Sequence, residues 1–324
     1  MTELRKDYIL DRWVILAPSR KKRPRDFVRQ TAAVSTNLCV FCKGNEKLTP
    51  PEIGRVSAKD SSGRWLMRWF PNLFPAVAEE GQKEVRTDNT FYTFAAAYGS
   101  HDVVVETPQH ERQLWDFAST ELEQLLKVYR ERISALERKG GKYVVVFKNH
   151  GNEAGTSLVH SHTQIASINI LPQLIIEEAT AIKNHEKQNN NQCPYCSILN
   201  TEKNSYRRCF ENSHAVAFAP YASRFNFEIW IFPKRHFRQL SDAAEDELQG
   251  ISELLASILH KLKELNAPYN YVLHYLPATA EGDFHFHIEV QPRLSVWAGF
   301  ELNTDIIINS VLPEDAARFY RGEE

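Results

Sequence analysis

The strongest constraint on the fold is an internal repeat that runs through most of the chain. Five features of the first half recur in the same order in the second half. The paired features are Cys39-Val40-Phe41-Cys42 with Cys193-Pro194-Tyr195-Cys196, residues 102–110 with residues 228–236, Arg112-Gln113-Leu114 with Arg238-Gln239-Leu240, Glu121-Leu122 with Glu247-Leu248, and His160-Ser161-His162 with His285-Phe286-His287. His110 lies 50 residues before His160, and its counterpart His236 lies 49 residues before His285. This register indicates that one structural unit was duplicated.

Each unit is predicted to combine antiparallel strands with one long helix. Apolar residues recur at helical spacing over residues 114–133 and again over residues 248–262. We therefore predict an α+β fold of two tandem domains, residues 1–190 and 191–324, rather than a doubly wound sheet. The boundary is placed next to the Asn/Gln-rich segment 187–192, where the composition is typical of a linker.

The composition is that of an ordinary globular protein, with 324 residues, 43% hydrophobic residues, 25% charged residues and a formal net charge of −2. This balance argues against bulk nucleic-acid binding, which requires a strongly basic surface. No apolar run approaches the roughly 20 residues that span a membrane, and the charged N-terminus lacks a signal-peptide core. We therefore expect a cytoplasmic protein with no membrane or nucleic-acid partner. The basic run at residues 20–25 is either a solvated segment or a contact for substrate phosphates.

The segment His160-Ser161-His162-Thr163-Gln164 is predicted to be a strand with three polar side chains on one face, because side chains alternate along a strand. Residues 149–157 precede it, and their two glycines and two hydroxyl side chains suit a loop whose backbone N–H groups approach an anion. Together these features indicate phosphoryl chemistry with a histidine nucleophile. An isolated His-x-His motif has another interpretation, a strand with polar residues facing solvent, but the matching parts of the repeat favour the functional one.

Four of the five cysteines form the two Cys-x-x-Cys pairs, which indicate metal binding or redox chemistry rather than disulfides in a cytosolic protein. Neither pair is expected to begin a helix, as a thioredoxin-like redox pair would. Two thiolates and two distant histidines form a closed tetrahedral zinc site. The repeat selects the ligands Cys39, Cys42, His110 and His160 for one site, and Cys193, Cys196, His236 and His285 for the other. His101 is an alternative ligand for the first site, and Cys209 is interpreted as a small buried hydrophobic residue.

Only the first unit is predicted to carry the chemistry. The second His-x-His motif continues to Glu289, whereas the first continues to Gln164. A carboxylate repels a phosphoryl group, whereas an amide donates a hydrogen bond to it. Residues 276–283 also lack the Gly-x-Ser pattern of the first unit and add two acids. The second unit is therefore interpreted as a scaffold that holds a metal.

These residues resemble the galactose-1-phosphate uridylyltransferase family, the transferase branch of the histidine-triad superfamily, over nearly the whole chain. The resemblance implies that both units are histidine-triad-like domains. The motifs that carry it are Trp13-Val14-Ile15-Leu16-Ala17-Pro18-Ser19-Arg20 with Lys22-Arg23-Pro24, Asn72 in residues 70–76, the residues Asn149, Gly155 and Ser157, the His-x-His-x-Gln strand, Leu171-Pro172, and Ala298-Gly299-Phe300-Glu301.

The resemblance implies nucleotide transfer through a covalent nucleotidyl-histidine. His162 attacks the α-phosphorus of a nucleotide sugar and releases a sugar phosphate, and a second phosphate compound then takes the nucleotide. Gln164 is the second implied catalytic residue, since its amide stabilises the phosphoryl oxygens. Implied substrate contacts are Arg20, Arg23, Asn72, Asn149, Gly155, Ser157 and Glu301. The resemblance further implies structural zinc and a homodimer whose site is completed across the interface.

The catalytic motif departs from that of the familiar uridylyltransferases, which carry proline between the histidines and glycine after them. Ser161 and Thr163 stand there in this chain. The serine form resembles the ADP-glucose phosphorylase branch, which transfers AMP to or from phosphate. UMP transfer between UDP-glucose and galactose 1-phosphate is the favoured expectation, and ADP-glucose phosphorolysis is the alternative. Further alternatives are a phosphorylase or hydrolase of nucleotide polyphosphates, which Gln164 disfavours, and a non-catalytic zinc protein that binds RNA or a protein partner.

The second metal site has an alternative ligand set. Some members of the family bind iron, and the matching positions here are Glu178, His274, His285 and His287. His285 cannot easily serve both that set and the second thiolate pair. Zinc at the thiolates is the preferred expectation, because thiolate ligands favour zinc.

Overall fold

The computed structural model describes residues 3–10, 12–16, 39–60, 63–88 and 90–323. Its strands are β1 Glu3–Lys6, β2 Trp13–Leu16, β3 Gly54–Ser57, β4 Trp65–Pro71, β5 Arg86–Thr87, β6 Thr93–Phe94, β7 His101–Val105, β8 Tyr143–His150, β9 His162–Ile168, β10 Arg208–Glu211, β11 Ala215–Phe218, β12 Ile229–Pro233, β13 Tyr269–His274, β14 His287–Pro292 and β15 Ile307–Asn309. Its α-helices are α1 Ser119–Arg138, α2 Gln173–Gln188, α3 Pro194–Glu202, α4 Glu245–Glu264, α5 Gly299–Thr304 and α6 Pro313–Arg321.

The two predicted units share one ten-stranded sheet, in the order β10-β11-β12-β14-β13-β8-β9-β7-β4-β3. The halves meet where β13 pairs antiparallel with β8, with Asn270 opposite Asn149 and Tyr271 opposite Lys148. The predicted α+β class is confirmed, and the two sheets are continuous rather than separate. The predicted domain boundary at residues 190 and 191 falls between α2 and α3 and stays a prediction.

Each unit places its long helix between equivalent strands, α1 between β7 and β8 and α4 between β12 and β13. A glutamate in the first turn of each helix accepts a hydrogen bond from the backbone N–H at the helix start, Glu121 from Ala118 at 2.9 Å and Glu247 from Ala244 at 2.8 Å. The two helices pack against each other and bury their apolar stripes in one core. The first helix begins at Ser119, later than predicted, because the preceding apolar residues form a separate 3₁₀ turn.

Successive side chains of β9 point to opposite faces of the sheet, one packed against the helices and one turned away from them. Thr163 faces the helices, since its hydroxyl lies 2.7 Å from the hydroxyl of Tyr129 on α1. His162 faces the opposite side of the sheet, where its ring meets Phe41 edge-on at 5.3 Å between centroids. The predicted working face of the strand is therefore turned away from the helical core.

The remaining strands form a three-stranded sheet, β1-β2-β15, and a hairpin of β5 and β6. Within the described parts of the chain, no helix has both the length and the apolar character needed to cross a membrane.

Candidate active site

His162 is held in one tautomer by the backbone. Its Nδ1–H donates to the carbonyl oxygen of His160 at 2.8 Å, which leaves Nε2 with the lone pair of a nucleophile. Burial, and after it the nearby Lys148 ammonium, lowers the pKa of His162. The imidazole is therefore neutral near pH 7 and needs no base to remove a proton before it attacks.

Gln164 is oriented by His101, a residue that the sequence analysis treated only as an alternative metal ligand. The backbone N–H of Ala76 donates to His101 Nδ1 at 3.1 Å, so His101 carries its proton on Nε2. That Nε2–H donates to Gln164 Oε1 at 2.9 Å. With its oxygen occupied, the Gln164 amide presents its NH₂ group as the donor. Asn72 belongs to the same group, with its side-chain nitrogen 3.4 Å from His101 Nε2.

The loop before β9 is built for close backbone approach. Gly151 and Gly155 have φ of +84° and +87°, in the left-handed region that favours glycine. Asn149 stands at the start of this loop, and its Oδ1 accepts a hydrogen bond from Asn270 Nδ2 of the second unit at 2.8 Å. Ser157 is exposed near the end of the loop. The loop follows β8, which pairs directly with β9, so it begins beside the strand that carries His162.

Of the other predicted substrate contacts, Glu301 is the one that lies within the described part of the chain. Arg20 and Arg23 lie outside the described residues. Glu301 lies in the first turn of α5, where its carboxylate accepts a hydrogen bond from the Ala298 backbone N–H at 2.9 Å, and α5 contacts β15 of the smaller sheet. Its role in substrate binding stays a prediction.

The first Cys/His set lies together, as the repeat predicted. The four ligand atoms of Cys39, Cys42, His110 and His160 all lie within 4.8 Å of one another. Cys42 Sγ is 3.4 Å from His110 Nδ1 and 3.6 Å from His160 Nδ1. Tetrahedral zinc with ordinary bond lengths separates a sulfur ligand from a nitrogen ligand by about 3.5 Å. The far nitrogen of His160 lies 2.7 Å from the Thr107 carbonyl oxygen, an arrangement that frees Nδ1 for a metal.

The second set, Cys193, Cys196, His236 and His285, repeats this geometry within the same 4.8 Å limit. Cys196 Sγ is 3.3 Å from His236 Nδ1 and 3.6 Å from His285 Nδ1. The far nitrogens face the Pro233 carbonyl oxygen at 3.0 Å and Asp283 Oδ1 at 2.9 Å. Asp283 was not predicted as an orienting residue. The expectation that neither cysteine pair begins a helix is wrong, because Cys193 directly precedes α3.

A third group of possible ligands, Glu178, His274, His287 and Glu289, is fully buried. It differs from the alternative iron set in one position, because His285 faces the thiolates and Glu289 takes its place. The competition for His285 is thereby removed.

His287, the counterpart of His162, is enclosed. Its Nδ1 is 3.0 Å from the His285 carbonyl oxygen, as in the first unit. However, Phe232 stacks on its ring at 4.5 Å, and Glu289 Oε1 lies 3.7 Å from its Nε2. The ring of His287 has no exposed surface, whereas His162 keeps 7%, so a phosphoryl group has less access to the histidine of the second unit.

The sequence is similar to one family model and to two kinds of sugar-nucleotide enzyme. A family model described as Domain of unknown function (DUF4921) matches residues 76–318. ADP-glucose phosphorylase of Arabidopsis thaliana is 36% identical, over 98% of this chain and 92% of the relative. Galactose-1-phosphate uridylyltransferase of Thermotoga maritima is 29% identical, over 100% of this chain and 99% of the relative.

Solved structures agree with these sequence relatives. The crystal structure of ADP-glucose phosphorylase from Arabidopsis thaliana with bound ADP-glucose superposes with a TM-score of 0.84 at 33% identity, covering 99% of this chain and 98% of that one. A uridylyltransferase structure gives a TM-score of 0.75 at 26% identity, covering 100% of this chain and 98% of that one.

The fold and the His-x-His-x-Gln strand thus define an enzyme of the hexose-1-phosphate nucleotidyltransferase class. The chain belongs to the galactose-1-phosphate uridylyltransferase family, which includes ADP-glucose phosphorylase relatives.

Proposed function

We propose that this enzyme transfers AMP from ADP-glucose to inorganic phosphate through a covalent bond to His162. The observation that carries the covalent mechanism is the pair of fixed tautomers: His162 Nδ1–H is held by the His160 carbonyl oxygen, and Gln164 Oε1 is held by His101. Together they supply a neutral nucleophile and an amide donor on the same face of one strand.

In the first step His162 Nε2 attacks the α-phosphorus, the bond from that phosphorus to the bridging oxygen breaks, and glucose 1-phosphate leaves. In the second step a phosphate oxygen attacks the same phosphorus, ADP leaves, and His162 is restored. The Gln164 amide and the loop that contains Gly155 and Ser157 would donate hydrogen bonds to the phosphoryl oxygens as negative charge builds there. Arg20, Arg23, Asn72, Asn149 and Glu301 remain the proposed further substrate contacts.

The choice of adenosine is supported by the 36% identity to ADP-glucose phosphorylase and by the match to its ADP-glucose-bound structure. Ser161, between the histidines, is a second supporting feature. The uridylyl reaction between UDP-glucose and galactose 1-phosphate is the second candidate, supported by the similarity to the Thermotoga maritima uridylyltransferase over its whole length.

Intact-mass measurement after incubation with ADP-glucose, and separately with UDP-glucose, distinguishes the two. An adenylyl adduct from ADP-glucose alone is expected. A uridylyl adduct alone would establish the second candidate, and no adduct from either donor would contradict covalent transfer. With the correct pair of substrates, double-reciprocal plots should give the parallel lines of a ping-pong mechanism.

We further propose one zinc ion in each Cys/His set, since the sulfur–nitrogen distances match tetrahedral zinc. Zinc there would be structural, because four protein ligands leave no open position.

We also propose that the enzyme works as a cytoplasmic homodimer. Phe74 and Phe91, each 85% exposed, are apolar surface that a second copy would cover. Sedimentation analysis tests this, and a monomer at working concentration would exclude it.

A further inference from the structure

Beneath β9, on the helical side of the sheet, an ion pair lies inside the apolar core. Lys148 is 1% exposed, and its ammonium makes three hydrogen bonds. It donates to Glu106 Oε2 at 2.6 Å, to the Ser161 hydroxyl at 2.8 Å and to the carbonyl oxygen of His162 at 2.9 Å. All three N–H groups of the lysine are therefore used, and one of them holds the backbone of the nucleophile itself.

Glu106, the residue that follows β7 on the other side of β9, completes the group. Its carboxylate accepts hydrogen bonds from the hydroxyls of Ser161 and Thr163, the residues on either side of His162. Since Thr163 gives its proton to Glu106, it accepts one from Tyr129, whose hydroxyl is 2.7 Å away. The ion pair thus bridges from β8 to the end of β7 under β9 and fixes three consecutive residues of that strand.

The second unit provides an internal comparison, because the same positions are apolar there. Ser161 and Thr163 correspond to Phe286 and Ile288 in the repeated motif. Lys148 lies opposite Thr163, and Leu273 lies opposite Ile288 in the same antiparallel arrangement. These three apolar residues are buried, and β12, which takes the place of β7, has no charged side chain.

The fold of this strand pair therefore does not depend on a buried ion pair. Removing two charges from water is costly, and apolar residues of similar volume commonly fill such a position at no loss of stability. The polar group is present beneath the strand whose histidine, His162, keeps 7% exposure, and absent beneath the strand whose histidine, His287, has none.

We propose that Glu106, Lys148, Ser161 and Thr163 are positioning residues for His162, a role that rests on the proposed nucleotidyl transfer. They contact no substrate, since they lie on the opposite face of the sheet. They fix the backbone on both sides of the nucleophile and so set the direction in which Nε2 meets the phosphorus. A small displacement of a reacting atom is enough to slow a reaction by about 100-fold.

The test is the single-turnover rate of nucleotidyl-enzyme formation, measured over a range of concentrations of the donor that labels the wild type. Thr163→Val keeps the side-chain shape and removes the hydroxyl, and we expect its maximal rate to fall about 10-fold. Thr163→Ser keeps the hydroxyl and should stay within about 3-fold of wild type. The double variant Glu106→Met/Lys148→Met copies the apolar character of the second unit, and we expect a loss of about 100-fold. In each case the donor concentration at half-maximal rate should change by less than about 2-fold.

The matched control is Glu202→Met/Arg207→Met. Glu202 is buried and receives hydrogen bonds from Arg207, Tyr8 and Ser205, so this pair is a similar network remote from β9. Its loss should lower the melting temperature and leave the single-turnover rate near wild type.

Three results would overturn the inference: Thr163→Val reacting as fast as Thr163→Ser, the double variant reacting at the wild-type rate, or the control losing as much rate as the double variant. If the double variant does not fold, the two Thr163 variants decide. A wild-type enzyme that forms no adduct would overturn the proposed function, and this role with it.

Discussion

At the scale of single residues, the chemistry depends on which nitrogen carries each proton. The His160 carbonyl oxygen fixes His162, and the Ala76 backbone N–H fixes His101. Neither assignment needs a charged partner in contact with the ring. Burial lowers the pKa of both histidines, so both rings are neutral near pH 7; His101 orients Gln164, and His162 is the proposed nucleophile.

His162→Ala should abolish adduct formation and turnover, because the attacking nitrogen is lost. Zinc content and the melting temperature should be nearly unchanged, since His160 belongs to the Cys/His set and His162 does not. Intact mass, metal analysis and thermal unfolding of the same sample check this. Sugar exchange at the wild-type rate would exclude the covalent route.

His101 is expected to act through Gln164. Gln164→Ala should slow adduct formation by about 100-fold, as the loss of one oxyanion-type donor does. His101→Leu should slow it by about 10-fold, because the amide is then free to turn. The double variant should be no slower than Gln164→Ala alone, since residues that act as one unit are not additive. Additive losses would show that His101 has a separate role.

His150 should make the protein sensitive to acid. Burial, and then Lys148, lowers the pKa of His150 to about 3, while Asp116 opposes the shift. Between that value and about 6.5 the unfolded chain binds a proton that the folded one does not, so stability is lost as the pH falls through this window. The ring packs between Trp115 and Tyr269. His150→Phe keeps this packing, and the loss of unfolding free energy between pH 7 and pH 5 should be smaller than in wild type by on the order of 1–2 kcal/mol. Equal losses in urea unfolding would contradict the assignment.

At the scale of elements, β9 receives its support from two sides. The Cys/His set holds His160 directly before the strand, and the Glu106–Lys148 pair holds it from beneath. The second set supports α3 and the segment before β14 in the same way, but the histidine that follows it, His287, has no exposed surface.

Cys39→Ser should remove one of about two zinc ions per chain and lower both the melting temperature and the rate of adduct formation, because metal binding stabilises the fold that aims His162. Cys193→Ser should remove the other ion and lower the melting temperature with a smaller loss of rate. Metal analysis with parallel kinetics checks both variants. If the wild type holds a single metal and Cys193→Ser retains it, the second Cys/His set does not bind zinc.

The repeat in the sequence was enough to predict the strands that recur in both units, the two long helices and both Cys/His sets, because each of these is specified by local pattern and spacing. Strands outside the repeat, such as β1, β2 and β15, were not predicted. The helix starts were harder to predict. Leu114 keeps helical spacing across a break in the helix. Pro194 occupies the first position of α3, where proline is a signal for a helix start. The roles of His101 and Asp283 could not be predicted, since their contacts come from strand pairing and loop packing between residues distant in sequence.

At the scale of the whole molecule, the two units are joined through the pairing of β8 with β13. This pairing lies next to the loop between β8 and β9. Asn270 of the second unit donates to Asn149 Oδ1 at 2.8 Å and to the Ala154 carbonyl oxygen at 2.9 Å. The second unit therefore shapes the loop of the first.

Asn270→Leu should raise the KM for the sugar nucleotide by about 10-fold with a small change in kcat, because the loop binds substrate in the ground state as well as in the transition state. Asn212 is a matched control, since its amide bonds Gly250 and Glu253 within the second unit. Asn212→Leu should lower the melting temperature and leave the KM unchanged. An unchanged KM in Asn270→Leu would show that the second unit does not affect substrate binding.

The pairing of β13 with β8 has a consequence for how such a gene can evolve. After duplication the second copy was free to diverge, and its Phe232 stacks on His287 at 4.5 Å between centroids. It cannot now be deleted without loss of the two hydrogen bonds that Asn270 donates to the loop of the first unit. The second copy is therefore a structural part of the first, so selection on the loop of the first copy also acts on the second.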